Sequence, residues 1–199
     1  GVAYIIDTES GKFVAAGHDW GTRGIINEIG LDLTFATNPE TKMVTIDTRV
    51  FNGNDKHFLG SNLYMDSPTA EWGLLEQDFG FYITDGTKYL SVDANDNLEL
   101  SATPHLWLIV TPEGVKAQRL EDLEAASSEN PMDATWLIQD ANFNRGDDRK
   151  SAWTGDDFGV GGKETNTNAE KWGGNSQTFD IKQTIEAPNG LYKITWNGF

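Results

Sequence analysis

The sequence contains no cysteine among its 199 residues. This absence excludes disulfide bonds, zinc–thiolate sites and thiol catalysis, but it leaves the compartment open because many exported bacterial proteins also lack cysteine. Basic residues are scarce: 15 Lys and Arg against 31 Asp and Glu give a formal net charge of −16. Because phosphate binding depends on Lys and Arg that displace counterions, nucleic acids and anionic membranes are disfavoured as partners.

Long apolar runs and catalytic signatures are missing as well. No segment approaches the roughly 20 apolar residues of a membrane-spanning helix. The sequence has no Gly-x-Ser-x-Gly elbow, phosphate loop or dinucleotide fingerprint, and His18, His57 and His105 lack metal-ligand spacing. A glycosidase needs only two carboxylates about 5 to 10 Å apart, but nothing in the sequence selects such a pair. We therefore predict that the chain is not an enzyme.

Aromatic residues and glycine are abundant, with 10 Phe, 7 Trp, 5 Tyr and 21 Gly. Disordered chains are poor in aromatics, so this composition predicts a folded protein with many turns. The first methionine is Met43, so Gly1 is not a native translation start. We expect the sequence to be a piece of a longer protein.

Residues 1–110 contain eight short β-branched and aromatic runs bounded by Gly, Asn, Asp and Pro, which is typical of an all-β unit. A weak threefold repeat runs through them. "GKFVAAG", "DKHFLGS" and "TKYLSVD" each carry an aromatic residue just after a lysine. Trp72 and Trp107 close the second and third repeats, and Phe35 holds the matching place in the first. Three four-stranded units of this kind predict a β-trefoil closed around a pseudo-threefold axis.

The stretch 111–130 predicts a single linking helix. Thr111 is a candidate N-cap, Pro112 stands at the first helical position, and Pro131 would end the helix. From Ala134 onward, "ATWLIQDANF", "QTFDIKQTI" and "LYKITWNGF" predict further strands separated by long Gly/Asp/Asn-rich loops. We expect the last of these strands to be paired, either within the chain or with a second copy, because an open edge promotes aggregation.

Two family resemblances follow from these residues. "KHFLGSNLYMDSPTAEW" and "KYLSVDANDNLELSATPHLW" resemble the ricin-type β-trefoil lectins and their Gln-x-Trp signature, although Ala70 and His105 stand where the glutamines would be. "SAWTGDDFGVGG", "AEKWGG" and "TFDIKQTIEAPNGLYKITWNGF" look like the opening part of a galactose-binding-like jelly roll. The resemblances imply a lectin-like domain and a partial β-sandwich, as in multidomain exported bacterial proteins that handle glycans.

Sugar recognition requires an aromatic face beside carboxylates or amides that bond vicinal hydroxyls. Strand alternation could bring Asn62, Tyr64 and Asp66 in the second repeat onto one face. The alternatives are a tryptophan folded onto the barrel rim for Trp20, a half-exposed hairpin for Asn62 to Asp66, and ordinary solvated loops for Trp153 and Trp172. The candidate carbohydrate-binding residues are Asp19, Trp20, Asn62, Tyr64, Asp66, Trp153 and Trp172.

No cofactor is predicted, and calcium is the one ion considered. "DANDN" at 93–97 resembles the start of a calcium loop but lacks its later glycine and glutamate, so a tight hairpin turn is the favoured interpretation. The acid pairs 147–148 and 156–157 could coordinate calcium or be solvated loop residues.

We thus expect an all-β protein with one linking helix: a β-trefoil (1–110), the helix (111–130) and a partial, truncated jelly-roll or β-sandwich unit (131–199). The predicted function is non-catalytic carbohydrate binding with a glycan ligand. The alternative is a structural or protein-interaction module with degenerate sugar sites. A homodimer through the carboxy-terminal strand is a further expectation, as is an exported location.

Overall fold

The computed structural model describes residues 2–17, 22–50, 56–141, 143, 152–161, 168–171, 173 and 178–196. This part of the chain is mostly β-structure with one α-helix, which confirms the predicted all-β class with a single helix. None of its helices is long and apolar enough to cross a bilayer. The first 110 residues contain β1 (Val2–Asp7), β2 (Phe13–Gly17), β3 (Arg23–Asn27), β4 (Leu33–Thr37), β5 (Val44–Asp47), β6 (Gly73–Gln77), β7 (Gly80–Thr84), β8 (Tyr89–Val92), β9 (Leu98–Ser101) and β10 (Trp107–Val110).

Six of these strands close into a ring. The pairs β1–β4, β4–β5, β6–β7, β7–β10 and β10–β1 are all antiparallel. Val44 and Trp72 make the remaining junction, between β5 and the start of β6, with two backbone hydrogen bonds of 2.8 Å. Because the ring closes on itself, it leaves no strand edge open to another chain.

Three hairpin arms are inserted between the ring strands, one in each predicted repeat. The first arm is β2–β3, the third is β8–β9, and the second is a shorter pairing between residues 58 and 67. Each arm starts at the aromatic residue that the repeat has after its lysine, and that residue pairs with the end of the preceding strand. These pairs are Phe13–Ile6, Phe58–Asp47 and Tyr89–Thr84.

The interior is filled by apolar side chains from all three repeats. Trp72 and Trp107 are fully buried, and their indole N–H groups donate to the carbonyls of Leu59 and Leu90 at 3.1 and 2.9 Å. A buried tryptophan needs such an acceptor, which each neighbouring arm supplies from the residue after its aromatic anchor. The rest of the core includes Ile5, Val14, Leu33, Ile46, Met65, Ile83 and Leu98.

In the first repeat, Leu33 rather than the expected Phe35 corresponds to the tryptophans. Leu33 lies opposite Ala3 on β1, and Trp107 lies opposite Phe81 at the equivalent place on β7. Leu33 is fully buried, whereas Phe35 only packs against the core from a half-buried position. The strand alternation turns residues two apart to the same side, so the sequence pattern could not separate these two candidates.

The helix α1 (Pro112–Glu124) begins as predicted. Thr111 caps it by accepting a hydrogen bond from the backbone N–H of Gly114 at 3.3 Å, and Pro112 is its first residue. It ends at Glu124 instead of continuing to Pro131, and Ser127 and Asn130 bond each other's backbone groups in a separate turn. None of its residues is fully buried.

Beyond α1, the described residues form far less sheet than the sequence predicts. "ATWLIQDANF" contains a short 3₁₀ helix (Thr135–Leu137) and a turn instead of a strand. The strands found are β11 (Thr154–Gly155), β12 (Gly159–Gly161), β13 (Asn168–Glu170) and β14 (Ile181–Lys182), paired as β11–β14 and β12–β13.

Residues 183–196 form no strand, so the expected pairing of this segment within the chain is wrong for the described residues. An alternating pattern expresses only a preference for an extended backbone. A stable strand also needs a neighbour that satisfies its N–H and C=O groups, and none lies alongside this segment within the described part of the chain.

Candidate functional site

An aspartate ends the first strand of each repeat or directly follows it, and closes the turn that comes next. Asp7 accepts hydrogen bonds from the backbone N–H groups of residues 9 and 10, Asp47 from that of Arg49, and Asp85 from those of residues 87 and 88. Because each carboxylate accepts from a backbone N–H two residues further on, and in Asp7 and Asp85 also three further on, it stabilises the turn locally. These acids therefore act first as turn-forming groups in the fold.

Two of these aspartates also contact a histidine. The Nε2 of His105 lies 2.7 Å from Oδ1 of Asp7, and the Nδ1 of His57 lies 2.9 Å from Oδ1 of Asp47. His105 belongs to the third repeat and Asp7 to the first, so their contact joins two repeats. His105 lies two residues before Trp107, and its side chain contacts the turn that Asp7 closes.

Burial of Asp7 acts to raise the pKa of its carboxyl, but hydrogen bonds from the Ser10 hydroxyl, the backbone N–H groups and His105 outweigh it. The pKa of Asp7 therefore lies below its ordinary value of 3.8. Its ionised form stabilises the folded state at any pH well above that value. This contribution is lost as the pH falls through the lowered pKa.

We expect Asp7→Asn to reduce the free energy of unfolding at pH 7 by about 1–3 kcal/mol, because an amide cannot accept all of these hydrogen bonds. Urea unfolding measured from neutral pH down to about pH 3 should show a weaker loss of stability with acid than in the wild type. Asp78→Asn, in an exposed turn, is the matched control. Identical pH profiles for Asp7→Asn and the wild type would contradict this role.

The predicted face of the second repeat is built differently from an alternating strand. Leu63 has a φ of +65°, and residues 61–66 form turns and bends apart from a single β-bridge between Tyr64 and Arg23. Asn62 is exposed, and its Oδ1 accepts from the backbone N–H of Tyr64 and the hydroxyl of Ser67. Tyr64 and Asp66 are half-buried, and the guanidinium of Arg23 lies 5.8 Å from the centroid of the Tyr64 ring. The three candidates therefore lie in an irregular segment, and the side-chain oxygen of Asn62 is used within its turn.

Of the remaining predicted sugar-binding residues, the structure describes only Trp153. Trp153 is half-buried, its indole N–H donates to the carbonyl of Asp140 at 3.2 Å, and its ring stacks on Phe143 at 5.2 Å. Asp19, Trp20 and Trp172 lie outside the described residues. Their predicted role in carbohydrate binding stays a prediction.

The acids considered for calcium have other partners where they are described. Asp93 closes the turn between β8 and β9 by accepting from the backbone N–H groups of Asn95 and Asn97, as the hairpin interpretation expected. Asp156 accepts from Lys171 at 3.1 Å and from the backbone of Asp180. The described ranges contain no group of three His, Cys, Asp or Glu residues that could hold a metal ion. The acid pair 147–148 lies outside these ranges.

A cleft of about 420 Å³ lies where β1, the loop after β3, α1 and the carboxy-terminal segment meet. Its volume falls within the roughly 300–1,000 Å³ of typical ligand sites. Aromatic rings stand in it beside carboxylates, an amide and two cations. The polar and aromatic residues of its lining include Tyr4, Glu28, Asp32, Lys116, Arg119, Trp136, Gln139 and Glu186.

Arg119 occupies an unusual position in this cleft. Its guanidinium carbon lies 4.4 Å from the ring centroid of Phe13 and 5.7 Å from that of Trp136. Burial lowers the pKa of Arg119 despite opposing contributions from Asp133 and other acidic groups nearby. No local sequence pattern marks this cleft, because its residues come from 4, 13, 28–32, 112–119, 136–140 and 183–186, and only tertiary packing unites them.

Polar contacts hold the carboxy-terminal wall of the cleft together. The backbone N–H of Gln139 donates to the side-chain oxygen of Gln183, whose amide nitrogen donates back to the Gln139 carbonyl and to that of Ala152. Lys116 and Glu186 approach to 3.9 Å across the mouth. An exposed ion pair of this kind contributes little to stability.

The chain matches no protein-family model, no curated protein and no solved structure.

Proposed function

We propose that the chain is a non-catalytic carbohydrate-binding module of a larger exported bacterial protein. The cleft beside α1 carries this proposal. Tyr4 and Trp136 offer apolar ring surface for the C–H side of a sugar, and Glu28, Asp32 and Gln139 offer hydrogen-bonding groups for its hydroxyls. A few polar groups among aromatic walls are typical of a small-molecule site.

We also propose that residues 2–110 are a β-trefoil related to the ricin-type lectins. The closed six-strand ring, the three hairpin arms and the three turn-closing aspartates support this assignment. The galactose-binding-like assignment of 131–199 rests on the sequence resemblance alone, since β11–β14 are short. The exported location rests on the same resemblance.

Binding of glycans should depend on Trp136. On a glycan array followed by titration of the best ligand, we expect Trp136→Ala to weaken binding at least about tenfold, since it removes the largest ring in the cleft. Tyr64→Ala tests the face predicted from the sequence. Phe79→Ala removes an aromatic side chain that is 81% exposed and does not line the cleft, so it should bind as the wild type does. Failure of the wild type to bind any glycan would overturn the proposal.

A structural or protein-interaction module is the second candidate, and the carboxy-terminal segment favours it. Leu191, Ile194 and Trp196 lie close together in the chain and are 102%, 73% and 82% exposed, so they form an exposed apolar segment. Large exposed apolar patches mark interaction sites. A homodimer through this segment would cover it. Absence of glycan binding together with concentration-dependent self-association, lost in Trp196→Ser, would favour this second function. A screen with chromogenic glycosides checks the non-catalytic assignment.

A further inference from the structure

The N–H donors of Arg119 have no acceptor among the residues that the structure describes. Among the described residues it makes no hydrogen bond and no ion pair, and its contacts are with the rings of Phe13 and Trp136. A guanidinium has five N–H donors in a planar fork, and a partly buried charge without an acceptor is costly. The ring contacts compensate for only part of this cost.

The acids around the cleft do not supply the missing acceptor. Asp133 and Glu28 influence Arg119 through space, yet neither forms an ion pair with it. Glu186, at the mouth, pairs with Lys116 instead. The fork therefore remains available to a ligand that enters the cleft between the helix and Trp136.

A carboxylate is the group that suits this fork best, because its two oxygens accept two parallel N–H bonds. The same cleft has carboxylates at Glu28 and Asp32, which suit hydroxyl groups and would repel a second negative charge. A ligand that fits both the Arg119 guanidinium and these two carboxylates has one carboxylate and several hydroxyls. Hexuronate sugars have this composition.

We propose that the cleft binds an acidic sugar residue of the uronate type, with its carboxylate on Arg119 and its ring beside Trp136. This inference rests on the proposed carbohydrate-binding function and specifies its ligand class. The net charge of −16 repels anions at long range. At physiological ionic strength that repulsion is screened beyond about 8 Å, so contacts within the cleft decide selectivity.

The test compares matched sugars on the full chain by NMR titration, using glucuronate against glucose and galacturonate against galactose. We expect at least one uronate to bind about tenfold more tightly than its neutral partner, with shifts at residues that line the cleft. Arg119→Gln should abolish the preference, and Arg119→Lys should reduce it because lysine lacks the fork. Lys88→Gln makes the same change in net charge away from the cleft and should preserve it.

The other outcomes separate the two proposals. Equal binding of acidic and neutral sugars in the cleft would overturn the role of Arg119 and leave carbohydrate binding intact. Acetate binding as strongly as the uronates would show that the sugar ring is irrelevant and overturn the inference. No binding of either sugar class would overturn this inference, whereas carbohydrate binding itself falls only if the glycan array also shows no ligand. Thermal unfolding of each variant identifies any that has lost its fold, and Arg119→Lys then provides the second readout.

Discussion

Replacing Trp107 with alanine is expected to lower the free energy of unfolding by about 3–5 kcal/mol. The side chain is fully buried in the ring interior, and its indole N–H donates to the Leu90 carbonyl at 2.9 Å. The truncation would leave a cavity between β10 and the third arm and an unsatisfied carbonyl. Because whole domains are stable by only about 5–15 kcal/mol, this loss would threaten folding itself.

Urea unfolding followed by circular dichroism measures the effect without relying on tryptophan fluorescence. Trp107→Phe keeps most of the buried ring and removes the N–H, so a smaller loss of about 1–3 kcal/mol is expected. Trp196→Ala removes a tryptophan that is 82% exposed and should change stability by no more than about 0.5 kcal/mol. Equal effects of Trp107→Ala and Trp196→Ala would contradict the core described above.

Replacing Gly80 with alanine is expected to cost about 3–5 kcal/mol, from combined backbone strain and steric overlap. Gly80 begins β7 with a φ of +154°, and a Cβ there would lie 2.3 Å from the carbonyl oxygen of Trp107. That oxygen belongs to the backbone of β10, which pairs with β7. Relief of the overlap would have to separate two strands of the ring.

Gly86→Ala is the matched control for Gly80→Ala. Gly86 also has a positive φ, of +96°, but a Cβ there would meet nothing within 4 Å. Gly86→Ala should therefore lower the free energy of unfolding only through backbone strain, by about 1–3 kcal/mol. Chemical unfolding of both variants separates strain from overlap. A loss for Gly80→Ala no larger than that for Gly86→Ala would show that β7 and β10 are not held in close pairing.

The sequence predicted the short strands of the first 110 residues because its repeat marks positions with one clear role. A lysine followed by an aromatic residue recurs at Phe13, Phe58 and Tyr89, and each of these begins a hairpin arm. The helix start was also readable, since capping by Thr111 depends on neighbouring residues only. Local signals of this kind need no knowledge of distant packing.

The carboxy-terminal third was predicted less well because strands depend on partners. "LYKITWNGF" has strong β-propensity, but residues 191–196 form no strand, and the 3₁₀ helix at Thr135–Leu137 replaces an expected strand. The same limit applied to Asn62, Tyr64 and Asp66. Alternation predicted a common face, whereas the left-handed backbone at Leu63 turned the segment into a bend.

The amino-acid sequence by itself determined the class of this protein: all-β with one helix, three repeats and a strongly acidic surface. Only the tertiary structure decided that Leu33 is the first repeat's counterpart of the buried tryptophans, and that Arg119 lies between Phe13 and Trp136. It also decided which turns the aspartates close. The physical reason is sequence separation. Turns, caps and alternation arise between residues a few positions apart, but a cleft requires distant segments to pack, and that packing leaves no local pattern in the sequence.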